Sequence, residues 1–489
     1  MKNIVLLGGS NSIIKGLSSG LKQRNIHLIN LALGGSTCLQ NLYAIKRKRN
    51  QEFIQNADLI ISESNVNDTI DYMNDKGQIK EEFFRDLTWF YEELSQCGKK
   101  ILILILPNFF KSNFQLINNF HRFLCIKFGF NLIDMARYYK ENHCYYFANM
   151  VDPAHQHITI MQELGENIAN HTDDFLSPKK MDLKNKINFT ILTPQDMIVD
   201  RGGDLKSFEA KNSMFDEKVF RIEEHKLFFP ERYFGYYILA LNAWNQSSLI
   251  FGTKKAKQKI QINPDKISQD FLENFIQFNN LNANVLINKK TFLEAQTINF
   301  WSGFSLKRCD LIDLFLADKG GEEILKNLNQ SEFLQEHFNI SEEYDFSHLM
   351  PNVVKYKEMI NDYIFWFITG LATRQSENFT RRIGAILTGK KKGFFSELNK
   401  PIRLMETCIR EVRNKIFFYV FYKRLKKYNI REIISEGYAK REFSLKEKQS
   451  YCYRIGELFI KACKTFYKGG FFKFFFELKK LRKEFKEKY

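Results

Sequence analysis

The chain has 489 residues, 44% of them hydrophobic and 26% charged, with a formal net charge of +17. Its length exceeds what one ordinary core organises and implies about three domains, while the near-average apolar share excludes wholesale disorder. The longest apolar runs, 101–107 and 363–372, fall short of the roughly 18 residues a membrane-spanning helix needs.

Along the first third, short apolar runs alternate with helical spacing. Strands are expected over 4–7, 27–33, 58–62, 101–106 and 131–134, because unbroken apolar character suits strands covered on both faces. Helices are expected over 11–23, 37–50, 81–97, 112–128 and 162–170. That rhythm predicts an α/β fold with a doubly wound parallel sheet. In such sheets chemistry gathers at the carboxyl ends of strands, here the loops 8–12, 34–37 and 65–69.

Ser10 follows the first strand through Gly8 and Gly9 and enters a helix. Its hydroxyl would lie at a helix N-terminus, where the dipole favours developing negative charge; equally, Gly8, Gly9 and Ser10 read as a tight turn with an N-cap. After the second strand, Gly35 would let a backbone N–H approach a ligand without a Cβ in the way. After the third, the side-chain amide of Asn67 could donate to an oxyanion. Asp152 precedes His155 by three residues, a spacing at which a carboxylate holds Nδ1–H and leaves Nε2 to take a proton from a hydroxyl. His143 and His157 are rivals for the base, and Asp152, His155 and His157, joined by Asp68, could instead form a facial metal cluster, although nothing in the spacing demands one. No glycine-rich nucleotide motif is present.

In order and position, Ser10, Gly35, Asn67 and His155 resemble the four blocks of the SGNH/GDSL hydrolase family. The resemblance covers residues 1 to about 175. It implies a flavodoxin-like three-layer fold with Ser10 as nucleophile, His155 as general base and Asp152 as its orienter. The oxyanion hole it implies is the Ser10 and Gly35 backbone N–H groups with the Asn67 side chain, and no cofactor or metal is implied beyond an activated group donor if the reaction is a transfer. Two departures stand out. Gly9 occupies the usual place of Asp, and Asn65 replaces the glycine of the Gly-x-Asn-Asp block; both are expected to reshape the acyl pocket.

Beyond the family-like domain, assigned to 1–178, short alternating segments at 188–192, 219–222, 233–241, 248–252 and 259–262 predict a mostly β domain over 184–319. Its aromatics, Trp244, Trp301, Tyr233, Phe234, Tyr236 and Tyr237, would either stack on sugar rings or fill the core. Residues 320–489 read as a basic helical region: 351–489 alone holds 33 Lys+Arg against 14 Asp+Glu. Near the C-terminus Phe471, Phe474, Phe475 and Leu478 share a helical face bordered by Lys473, Lys480 and Arg482, and 414–428 mixes aromatic and basic residues in the same way. Such helices either rest on an anionic membrane surface or close a bundle, and no nucleic-acid module is recognisable.

Eight scattered cysteines without zinc-type spacing suggest a reducing compartment, and residues 1–9 lack the pattern of a secretory signal. The expectation is a cytoplasmic protein, peripheral at the inner face of the membrane. An SGNH-like domain joined to a β unit and a basic helical tail resembles an enzyme that decorates a surface glycan, and that resemblance implies a serine esterase or acyltransferase acting on a capsule or lipooligosaccharide substituent. Transfer of a phosphoryl-type group to capsular polysaccharide, or a non-catalytic glycan-binding or scaffold role, are the alternatives.

Overall fold

The computed structural model describes residues 1–74, 76–108, 114–149, 152–182, 186–211, 216–223, 225–244, 248–252, 257–261, 276–278, 286–288, 291–295, 309–326, 329–334 and 338–363. Residues 1–357 form one compact unit. Trp301 and the basic segments expected at 414–428 and 471–486 lie outside the described residues.

The unit begins with strands β1 (Lys2–Leu7), β2 (Ile26–Asn30), β3 (Leu59–Ser62), β4 (Lys100–Leu104) and β5 (Asn131–Ile133). They form one sheet in the order β2-β1-β3-β4-β5, every neighbouring pair parallel. Their helices are α1 (Ser10–Ile13), α2 (Leu17–Leu21), α3 (Cys38–Lys46), α4 (Gln51–Gln55), α5 (Asn65–Tyr72), α6 (Glu82–Gln96), α7 (Phe114–Phe128), α8 (Met135–Glu141), α9 (Tyr145–Asn149) and α10 (Ile158–Asn170). Successive strand side chains point to opposite faces. Val5, Leu7, Ile60, Ile101 and Ile103 enter the core shared with α3, α6 and α7, and the alternate residues Ile4, Leu6, Leu59, Ile61 and Leu102 are equally buried. This is the three-layer α/β arrangement expected. The strand order reverses between β1 and β3, the place where such sheets open a crevice.

Two expected elements differ. The helix predicted over 11–23 is two short pieces, because Gly16 and Gly20 are pressed against α10. A Cβ on Gly20 would overlap the Gln162 carbonyl oxygen, one on Gly165 would lie 2.6 Å from the Leu17 carbonyl oxygen, and one on Gly16 would lie 3.1 Å from Met161 Cβ. Continuity of the helix yields to close backbone packing. The segment 65–69, expected as a loop, is the start of α5, where the Thr69 hydroxyl donates to the Asn65 carbonyl at 2.8 Å.

The later strands, β6 (Phe189–Leu192), β7 (Ile198–Val199), β8 (Lys206–Lys211), β9 (Asp216–Ile222), β10 (Lys226–Phe228), β11 (Tyr237–Ala243), β12 (Ser248–Gly252), β13 (Lys257–Gln261), β14 (Ile276–Phe278), β15 (Phe292–Ala295) and β16 (Cys309–Ala317), pair antiparallel in two sheets. β16 is buried along its whole length and pairs with β11, β9 and β6. Its apolar sequence is interrupted by Asp310 and Asp313, both buried; Asp313 accepts from Tyr43 and Asn242 and Asp310 from Arg221. Phe315 and Ala317 of this strand, with Leu239 and Ala240 of β11, join the core of the parallel sheet. Polar contacts tie the same parts together: Tyr43 donates to Asp313 at 2.7 Å, and Glu217 accepts from Arg47 and Arg49 at 2.6 Å each. Tyr233, Phe234 and Tyr236 pack against the β-region core.

Candidate active site

Ser10 stands one residue past a turn that only glycine serves. Gly8 has φ +154, and a Cβ there would lie 2.6 Å from Ser12 Oγ and 2.8 Å from Glu63 Oε1. On the β2 side the turn is pinned by the Leu33 N–H, which donates to the Gly8 carbonyl at 2.9 Å. The helix that follows is a single turn, Ser10–Ile13, so the dipole expected to support Ser10 shrinks to a few backbone N–H groups.

His155 approaches from the loop before α10. Its Nε2 lies 2.8 Å from Ser10 Oγ and its Nδ1 3.0 Å from Asp152 Oδ2. In the tautomer that serves both contacts, Nδ1–H donates to Asp152 and Nε2 accepts the Ser10 proton. Asp152 is fixed in turn, its Oδ1 accepting the Ala154 N–H at 2.7 Å and the His155 N–H at 3.2 Å. The bond from His155, helped by the Ala154 N–H, holds the Asp152 carboxyl down at about 2. All three sequence-derived candidates for attack, base and orientation therefore meet.

Of the expected oxyanion donors, Asn67 lies against the same turn. Asn67 Nδ2 presses on the Gly9 backbone so closely that a Cβ on Gly9 would overlap it. An Asp at position 9 would force Asn67 away, so the first departure from the family pattern and the placement of Asn67 are one feature. Gly35 takes φ +76 two residues beyond the Leu33 pin. The second departure is structural in effect. Asn65 is buried, donating to the Leu106 carbonyl at 2.7 Å and to Asn118 Oδ1 at 2.9 Å while accepting the Leu106 N–H at 3.0 Å. It fastens the start of α5 to the chain leaving β4.

The rivals are placed elsewhere. His157 stacks on Phe147 with centroids 4.6 Å apart, and burial holds its imidazole below its ordinary value. His143 is exposed at a positive φ of 53. Asp68 accepts from the Cys38 N–H at 2.8 Å and contacts His121 Nε2 at 3.2 Å. Among the described residues no group of three or more His, Cys, Asp and Glu side chains is arranged to hold a metal ion.

Two residues escaped the sequence reading. Asn11 donates to the Ala154 carbonyl at 2.9 Å and accepts the Gln156 N–H at 3.0 Å, so it clasps the histidine loop from both sides. Glu63, at the end of β3, accepts the Gly9 N–H at 2.8 Å and the Ser12 hydroxyl at 3.0 Å. For Asn11 the only available signal was adjacency to Ser10. For Glu63 it was a carboxylate closing an otherwise apolar strand.

A family model described as a domain of unknown function (DUF8374) matches residues 254–487, and no curated protein matches the chain. The N-terminal region resembles SGNH/GDSL lipases and esterases of known structure. Among these, a lipase/acylhydrolase from Enterococcus faecalis is 16% identical, with 37% of this chain and 100% of that chain covered at a TM-score of 0.29. TesA is 15% identical, covering 35% and 97% at 0.28. The psychrotrophic esterase EstA from Pseudoalteromonas sp. is 14% identical, covering 36% and 96% at 0.27.

Proposed function

We propose that the chain is a serine-dependent esterase or acyltransferase whose reaction is carried out by residues within 1–178. The observation that carries this reading is the single line of hydrogen bonds from Asp152 through His155 to Ser10. Ser10 attacks the ester carbonyl as its proton passes to His155 Nε2. The imidazolium so formed is stabilised by Asp152 and returns the proton to the leaving alcohol, giving an acyl-enzyme. The Ser10 and Gly35 N–H groups with the Asn67 amide would take the oxyanion, each such donor being worth roughly 3 to 4 kcal/mol. Water then completes hydrolysis and a sugar hydroxyl completes transfer; only the acceptor differs.

The substrate we propose is an ester substituent of a surface glycan. The reading rests on the joining of this serine site to a mostly β region and a strongly basic C-terminal third. The concentration of positive charge in 351–489 supports contact with an anionic membrane surface. A fluorophosphonate probe tests the chemistry: the wild type should label, and Ser10→Ala and His155→Ala should not. Acyl-donor turnover that accelerates with added oligosaccharide would establish transfer; absence of wild-type labelling would remove the reading. For the tail, flotation with anionic vesicles should be lost on deletion of residues 465–489.

A further inference from the structure

Beneath the serine turn lies a carboxyl group that the proposed reaction does not use. Glu63 is 1% exposed. Its Oε1 accepts both the Gly9 N–H, adjacent to the nucleophile, and the Ser12 hydroxyl, while its Oε2 is buried with no hydrogen-bond partner. Both glycines before Ser10 are shaped around this neighbourhood. A Cβ on Gly8 would lie 2.8 Å from Glu63 Oε1, and the space above Gly9 belongs to Asn67. Position 9 itself therefore has no room for a carboxylate, and Glu63 brings one to the same peptide from the neighbouring strand.

We infer that Glu63 is a positioning residue for Ser10 that works as a neutral carboxyl group, so that its ionisation weakens the site. This rests on the serine-nucleophile reading above. A buried charge with one oxygen unpaired costs far more than a buried neutral acid in the same position. A negative charge two residues from the nucleophile would also oppose the oxyanion that forms during attack.

The surroundings agree. Burial lifts the Glu63 carboxyl to about 7, against the pull of the Gly9 N–H and the Ser12 hydroxyl and amide, and Asp68 on α5 pushes it the same way as burial. From the β1–α1 turn Glu63 meets only neutral groups, Gly9 and Ser12. The charged neighbour is Asp68, itself held by the Cys38 N–H at the start of α3 and by His121 of α7. Any pH dependence contributed by the Ser10–His155–Asp152 line is common to both proteins and cancels when the rate of a Glu63 variant is divided by that of the wild type.

The test is fluorophosphonate labelling of the full chain between pH 6 and pH 8. The ratio of the Glu63→Gln rate to the wild-type rate should rise about tenfold across that range, the change in the neutral fraction of a group titrating near 7. Glu63→Ala, which leaves the Gly9 N–H without its acceptor, should be slower than Glu63→Gln at pH 6. Ser12→Ala removes a bond that favours ionisation and should move the wild-type alkaline fall to higher pH. A flat Glu63→Gln ratio, or a Ser12→Ala fall that does not move, would overturn the inference.

A second measurement does not depend on activity. A carboxyl whose folded value is raised stabilises the fold fully below its unfolded value and loses that contribution as pH rises through the folded value. The melting temperature of the wild type relative to Glu63→Gln should therefore drop between pH 5 and pH 8, and a constant difference would also overturn the inference. Absence of wild-type labelling at every pH, with this drop present, would instead fault the serine-nucleophile reading alone.

Discussion

Asn11 accepts the backbone N–H of Gln156 across 145 residues of sequence, at 3.0 Å. The same side chain donates to Ala154, so the loop that carries the His155 imidazole is attached to the residue next to Ser10. Removing that clasp leaves a buried N–H and C=O unpaired, and Asn11→Ala should cost about 1 to 3 kcal/mol of stability. Because small displacements of reacting groups are expensive, its probe-labelling rate should fall by about tenfold or more. Urea unfolding and labelling kinetics on the same preparation read both quantities; a variant as reactive as the wild type would show that the loop holds without the clasp.

Truncating the hydrogen-bonded line itself should be more severe. Ser10→Ala and His155→Ala are expected to lose ester turnover by about a thousandfold or more, and Asp152→Asn to retain labelling at a rate reduced by about a hundredfold to ten-thousandfold. The combined Ser10→Ala/His155→Ala variant should be no slower than either alone, since the residues act as a unit. Steady-state turnover of a short-chain ester measures this directly.

Asp152 also gives a pH signature. Its carboxyl is lowered from its ordinary value to about 2 by the bond from His155 and the Ala154 N–H. Its contribution to stability is therefore present above about pH 4 and is lost as the pH falls toward 2. The melting temperature of wild type minus that of Asp152→Asn should be positive at pH 5 and shrink by pH 2. The partial exposure of both partners, 34% for His155 and 40% for Asp152, keeps the effect small.

Gly9→Ala is a sharper probe of the proposed oxyanion site than its size suggests. The added methyl group would take the place of the Asn67 amide. Its rate should fall about a hundredfold to a thousandfold, the loss typical of one oxyanion donor, and adding Gly9→Ala to Asn67→Ala should cost little more. Additive losses would mean that Gly9 acts by another route.

Away from the site, Glu217 pairs with both Arg47 and Arg49 where α3 and the turn after it meet β9. Glu217→Ala would leave the largely buried Arg47 guanidinium without its bidentate partner, at a cost of about 3 kcal/mol. Tyr43→Phe, which leaves Asp313 with one donor fewer, should cost about 1 kcal/mol. Thermal unfolding monitors both, with no change expected in the pH profile of labelling.

The parts of this molecule that could be read from its residues are those where one local rule suffices. The five parallel strands appear as unbroken apolar runs, and Ser10, Asp152 and His155 appear as a turn serine and a short carboxylate–imidazole spacing. What stayed hidden depends on distant partners. Residues 309–317 carry two aspartates that break their apolar run, and the partners that make both tolerable, Arg221, Tyr43 and Asn242, come from β9, α3 and β11. Likewise the break between α1 and α2 is imposed by α10, some 140 residues away, and Glu63 gains its meaning only when β3 lies beside β1.

That contact between α2 and α10 has one more implication. With Gln162 seated against Gly20, and Gly165 against Leu17, the final helix of this α/β layer has a fixed register. The imidazole three residues ahead of it is therefore placed through main-chain packing. A bulky replacement at Gly20 would accordingly displace α10 and with it the contact between His155 and Ser10, without lying next to either side chain in sequence.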